Sequence, residues 1–187
     1  METGQDIPAA QGAVPPSGQQ FALEFAGQRA LITEVGGALR RYTVDGRDLL
    51  DGYGEDEMCT GARGQSLIPW PNRIRHGRYD WRGRTEQLDL SEPAKGGAIH
   101  GLTRWANWEV EQQAEGYLSM VHTQHACQGW PWVLSCRLEY RLDAAGLSVR
   151  TTVVRTVSPE ASRRYSSRHE STQGQPWHAC WVWTRLR

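Results

Sequence analysis

From Gln20 onward the chain is built of short runs in which apolar and polar residues alternate, each closed by a glycine-bearing turn. Phe21–Phe25, Arg29–Val35 and Leu39–Val44 are the first three, punctuated by Gly27, Gly36-Gly37 and Asp45-Gly46. Alternation places successive side chains on opposite faces of an extended strand, and Asp-Gly supplies the two positive-φ positions of a tight hairpin. Gly77–Trp81 and Thr85–Leu90 flank Arg82-Gly83-Arg84 as a second hairpin. Trp108–Glu111, Tyr117–His122 and Trp132–Leu142 read as further strands, and Asp143–Gly146 turns the last of them into Leu147–Val154. Along the Trp132 strand, Val133, Ser135, Arg137, Glu139 and Arg141 fall on one face. Leu134, Cys136, Leu138, Tyr140 and Leu142 fall on the other, which gives one wet side and one buried side. No segment has the 3.6-residue period of an amphipathic helix. The pattern predicts an all-β fold, an antiparallel β-sandwich of large sheets.

Two stretches break this rhythm. Residues 59–76 and 91–105 read as long loops without regular structure, yet they carry tryptophan, isoleucine, arginine and histidine together. Long loops in a compact domain usually serve function, so the site is expected there. The two ends differ again. Residues 1–19, rich in proline, glycine and glutamine, read as a flexible leader. After Thr156 the alternation stops, and residues 157–187 show no period although Trp177, Trp181 and Trp183 lie among them. Such a segment is expected to be an aberrant, frame-shifted end, which leaves 20–156 as the patterned domain.

Composition narrows the function classes. The 187 residues hold 21 basic and 21 acidic side chains, for a formal charge of zero. A neutral chain lacks the concentrated basic field that phosphate backbones require, so no nucleic acid is expected. No apolar run approaches the roughly 18–20 residues of a membrane-spanning helix, and the start has no secretory signal; no membrane and a cytoplasmic location are expected. Cys59, Cys127, Cys136 and Cys180 form no CxxC pair and are expected to be free, buried thiols. His122 and His125 lack a third ligand at zinc spacing, so no metal is expected.

The chemistry-bearing residues lie in the two long loops. In Pro69-Trp70-Pro71-Asn72-Arg73-Ile74 the prolines fix the backbone around a tryptophan, and Arg73 projects from that base as a fork of donors. In Gly96-Gly97-Ala98-Ile99-His100-Gly101-Leu102 the glycines let backbone and ligand approach His100, which donates or accepts near neutral pH. On residue type alone, the commoner reading of both side chains is structural, as ties within their loops.

Taken together, Asn72-Arg73-Ile74, the Gly77-x-Tyr79-x-Trp81-x-Gly83 hairpin and Ala98-Ile99-His100-Gly101-Leu102 resemble the aldose 1-epimerase (galactose mutarotase) family. Gly129-Trp130-Pro131-Trp132, the Leu138–Leu142 strand and Gly146-Leu147 continue the resemblance, which covers roughly Gln20 to Thr156. It implies a galactose mutarotase-like β-sandwich, incomplete at its C-terminus, that needs no cofactor. The implied partner is a small-molecule sugar, an aldohexose such as glucose or galactose. The implied reaction interconverts α and β anomers: a base takes the proton of the anomeric hydroxyl, an acid protonates the ring oxygen, and the opened ring recloses from its other face. Residue by residue, the resemblance gives His100 a catalytic place in the sugar cleft, Arg73 a substrate-binding one, and Asn72 the support of their loop. The family's general-acid histidine and base glutamate have no counterpart in a matching context here. The alternative is therefore an inactive carbohydrate-binding remnant or a fragment that folds poorly.

Overall fold

The computed structural model describes residues 14–156 and the backbone of residues 182–186. Two antiparallel sheets face each other. The first runs in the order β1 (Gln20–Phe25), β2 (Gln28–Thr33), β3 (Leu39–Val44), β4 (Arg47–Asp48). Its hairpins close where the sequence places them: Ala26-Gly27 and Asp45-Gly46 all adopt positive φ, as a two-residue turn matched to strand twist requires.

The second sheet contains β9 (Glu109–Ala114), β10 (Tyr117–Gln124), β11 (Val133–Asp143), β12 (Gly146–Thr156) and β13 (Val182–Leu186), in the spatial order 13-12-11-10-9. β11 and β12 pair over their full lengths, and β11 alternates buried and accessible as its sequence predicts. β13 pairs with β12 from Leu147↔Leu186 to Thr151↔Val182. That strand had no signature in the alternation pattern. The remainder of 157–187, with His169, His178 and Cys180, lies outside the described residues, as does the leader before Val14.

The last leader residues are tied into the first sheet. Ser17 is buried and its carbonyl accepts the Val35 N–H at 3.0 Å, while the Gln19 carbonyl accepts the Glu34 N–H at 2.9 Å.

The core lies between the sheets. Leu23, Ala30, Ile32 and Tyr42 come from the first; Leu118, Met120, Leu134, Cys136, Leu138, Tyr140, Leu142 and Leu147 come from the second. Gly36-Gly37 is the joint between them. The Gly36 N–H donates to Ala106 O at 2.8 Å, the Tyr140 hydroxyl donates to Gly37 O at 2.6 Å, and a Cβ on Gly37 would press on Leu138 and Trp108. Of the cysteines, Cys59 and Cys136 are buried free thiols, but Cys127 is exposed, contrary to expectation. It sits at a loop tip where its backbone pairs with Trp130, so its side chain has no core to enter.

The two loops read as structureless are not wholly so. Each contributes a three-residue strand, β5 (Arg73–Arg75) and β8 (Gly97–Ile99), which pair as Arg73↔Ile99, Ile74↔Ala98 and Arg75↔Gly97. A single 3₁₀ turn, Pro93–Lys95, precedes β8. Between them, β6 (Arg78–Trp81) and β7 (Arg84–Gln87) form the second hairpin, turning on Arg82-Gly83. Three-residue strands are too short for a period to register, which is why the ladder left no trace in the pattern.

Leu138 is 1% exposed in the centre of the sheet interface. Leu138→Ala is expected to lower the urea-derived unfolding free energy by about 2–5 kcal/mol. Gln112→Ala, on the fully exposed β9, is expected to stay within about 0.5 kcal/mol of the parent.

Candidate functional site

The β5–β8 ladder brings Asn72, Arg73 and His100 together. One step beyond the Arg73↔Ile99 pair, Asn72 and His100 face each other and exchange hydrogen bonds. The His100 N–H donates to Asn72 O at 2.9 Å, and the Asn72 N–H donates to His100 Nδ1 at 3.0 Å. Both residues adopt positive φ, 59° and 62°, a conformation that asparagine and histidine tolerate better than bulky or β-branched residues do.

This geometry fixes the state of the imidazole. A ring nitrogen that accepts a backbone N–H carries no proton, so the neutral ring holds its hydrogen on Nε2. Burial pushes the His100 pKa below its ordinary value of 6.5, the positive charges of Arg104 and Arg73 push the same way, and Glu92 opposes them. At neutral pH His100 is therefore an uncharged ring with an Nε2–H donor held in place by the chain's own backbone.

The backbone after His100 is just as constrained. Gly101 has φ 69°, and a Cβ there would run into the carbonyl of Ile68, which accepts the Leu102 N–H at 2.7 Å. Thr103, fully buried, donates its hydroxyl to Ser66 O at 2.8 Å. The two loops are thus stitched from Ser66 to Arg75 on one side and from Gly97 to Thr103 on the other.

Arg73 is partly exposed and held by Glu92, a residue that sequence reasoning passed over. Its Nε and Nη2 both donate to the Glu92 carboxylate, the latter at 3.1 Å, and Nη1 lies 3.4 Å from Asn72 Oδ1. The Arg73 guanidinium, aided by Lys95 at 3.4 Å, pulls the Glu92 carboxyl down to about 2. An acidic residue before a proline has no sequence signal of its own, and the ladder that delivers it to Arg73 was itself invisible.

Aromatic side chains adjoin this corner. The Trp70 indole donates to Ala98 O at 3.3 Å and meets Trp130 at 6.1 Å; Trp130 in turn meets Trp132 edge-on at 4.7 Å. The Tyr79 hydroxyl donates to Gly129 O at 2.6 Å, so the β6–β7 hairpin is anchored to the same cluster. His122 and His125 do not join the site. The His122 ring packs on Trp108 with Nδ1 3.1 Å from Asn107 O, and His125 is exposed. Among the described residues no three His, Cys, Asp or Glu side chains gather as a metal ion would need. No helix among them is long and apolar enough to cross a membrane. Two open cavities of about 720 and 500 Å³ lie at the hairpin ends of the first sheet, and neither is lined by Asn72, Arg73 or His100.

Two measurements check this geometry. In ring-¹⁵N NMR at pH 7, His100 is expected to show a protonated Nε2 and a bare Nδ1, and to titrate below 6.5. Because the folded pKa is lowered, the unfolded chain binds the proton first. The stability owed to the neutral ring is complete above pH 6.5 and fades as the pH falls toward the folded value. Gly101→Ala is expected to cost about 1 kcal/mol or more and to shift the His100 ring signals, because the added methyl must displace the Ile68 carbonyl.

Known proteins share this fold. The sequence profile of the aldose 1-epimerase family matches residues 19–160. An uncharacterised Escherichia coli K12 protein, YihR, is 34% identical over 134 residues, covering 71% of this chain and 44% of its own length. Among solved structures, a galactose 1-epimerase from Lactobacillus acidophilus superposes with a TM-score of 0.63 at 19% identity, over 72% of this chain and 43% of that one. A galactose mutarotase-like protein from Clostridium acetobutylicum gives 0.63 at 24% identity, over 74% and 46%. The chain spans less than half the length of these relatives. The profile match over most of the chain, on the antiparallel sandwich these structures share, makes this protein a member of the aldose 1-epimerase family.

Proposed function

We propose that the protein binds an aldohexose such as glucose or galactose at the corner formed by Asn72, Arg73 and His100. The observation that carries this reading is the reciprocal Asn72–His100 bonding, which leaves the His100 Nε2–H as a donor within the electrostatic reach of Arg73. Neutral hydroxyls and a ring oxygen are recognised by fixed donors of this kind, and pre-positioned donors lose little entropy on binding. Partly exposed Trp70 and Tyr79 nearby add apolar ring surface, to which the C–H faces of a pyranose are complementary.

In the family reaction, ring opening needs a donor at the ring oxygen and a base at the anomeric hydroxyl. His100, neutral and protonated on Nε2, supplies a donor. The one carboxylate that acts on it among the described residues is Glu92, and Arg73 and Lys95 hold that group ionised and occupied. A carboxylate so depressed is a poor base. This favours a site that holds the sugar without turning it over quickly.

Titration with galactose and glucose, followed by calorimetry or ligand-detected NMR, is expected to show saturable binding. His100→Ala and Arg73→Ala are each expected to weaken it about tenfold or more, the usual effect of removing a hydrogen bond in which one partner is charged or desolvated. Polarimetry on fresh α-anomer is expected to give the buffer rate. A faster rate that disappears in His100→Ala would establish the enzymatic reading instead.

A further inference from the structure

We propose that Glu92 is the positioning residue for Arg73, setting which guanidinium hydrogens the arginine offers to a ligand; this rests on the sugar-site reading above. Glu92 is itself immobilised before it touches Arg73. Its N–H donates to Gly97 O at 2.9 Å and its carbonyl accepts the Gly97 N–H at 3.2 Å, so its backbone is locked across the start of β8. Pro93 follows at once and fixes the chain into the 3₁₀ turn. The carboxylate then takes the Nε and Nη2 edge of Arg73 in a two-point clasp.

Gly97 completes the mount. A Cβ at that position would lie 3.5 Å from Cβ, Cγ and Cδ of Arg73, so the arginine stem rests against the glycine backbone. Lys95 also reaches the carboxylate, 3.4 Å from the Oε1 that accepts Arg73 Nη2. The result is a guanidinium held at its stem, its Nε and its Nη2. The hydrogens not turned to the carboxylate are those of Nη1, beside Asn72 Oδ1, and the second of Nη2.

An ordinary surface ion pair contributes little and tolerates loss of either partner. A two-point clasp on an immobilised carboxylate differs in kind. It selects one orientation of a side chain that otherwise samples many, and the Glu92 charge opposes that of the arginine at His100. A ligand then meets a directed donor instead of a free cation.

The test is a double-mutant cycle on the full chain, read by galactose affinity. Glu92→Gln keeps the size of the side chain and removes its charge; it is expected to weaken galactose binding about tenfold in the parent and to have no further effect in Arg73→Ala. A merely structural role would lower affinity in both backgrounds. In ¹⁵N NMR, the Arg73 Nε–H of the parent is expected to exchange slowly with water and to lose that protection in Glu92→Gln. Should that variant fail to fold, Glu92→Asp, which keeps the charge but shortens the reach, is expected to show the same two effects in weaker form. Unchanged affinity in Glu92→Gln, alongside a loss in Arg73→Ala, overturns the positioning role and leaves the sugar site standing. Unchanged affinity in both Arg73→Ala and His100→Ala overturns the sugar site, and the positioning role with it.

Discussion

Everything in this molecule hangs on one close approach, the passage of the Gly36-Gly37 backbone through the space between the two sheets. A side chain on Gly36 would meet the Arg104 carbonyl and Gln65, and one on Gly37 would meet Leu138 and Trp108. Both positions also need positive φ, which glycine adopts without steric cost. From this corner the hydrogen bonds run outward in three directions. Ala106 O ties it to the segment before β9, the Tyr140 hydroxyl ties it to the second sheet, and Gly36 O accepts the Ser66 N–H at 3.1 Å at the root of the first site loop. Gln65, next in line, donates to Arg104 O at 2.7 Å and so grips the second loop. The distance between the sheets and the placement of the site loops are consequently set by the same few atoms.

The site inherits its order from that corner through the β5–β8 ladder. Three residue pairs are a weak sheet by themselves, and isolated two-stranded ribbons are marginal in water. Here the ladder is held at both ends: the Thr103–Ser66 and Gly101–Ile68 contacts close one, and the Glu92–Gly97 bridge closes the other. Arg73 is therefore mounted on regular strand backbone and His100 one residue beyond it, which positions side chains more tightly than free loops do. The imidazole tautomer is decided by a main-chain N–H, so it does not depend on any other titrating side chain holding its proton.

Much of the sandwich was legible in the residues because β10, β11 and β12 are long enough for alternation to register, and because Asp45-Gly46 and Arg82-Gly83 name their own turns. Asn72, Arg73 and His100 stand out as candidates by type, glycine context and family resemblance, and the ladder brings them together. What escaped notice was short or non-local. β5 and β8 hold three residues each; Glu92 reaches Arg73 across nineteen positions; Cys127 lies at a tip where burial is decided by topology. β13 escaped for another reason. Val182–Leu186 has the β-branched and aromatic residues of a strand, but it follows a long stretch without period, and only its pairing with β12 gives it a register.

The left-handed backbone at His100 has a consequence for how this site ages under mutation. Glycine adopts φ 62° at lower cost than histidine does, and it would keep the main-chain bond to Asn72 O while deleting the imidazole. Histidine thus stands at this position against the conformational preference of its own backbone. A glycine there would keep the backbone bond to Asn72 O but leave the Asn72 N–H without the Nδ1 acceptor, so the backbone alone does not preserve the imidazole's role. An intact sandwich is accordingly compatible with loss of the ring that accepts the Asn72 N–H.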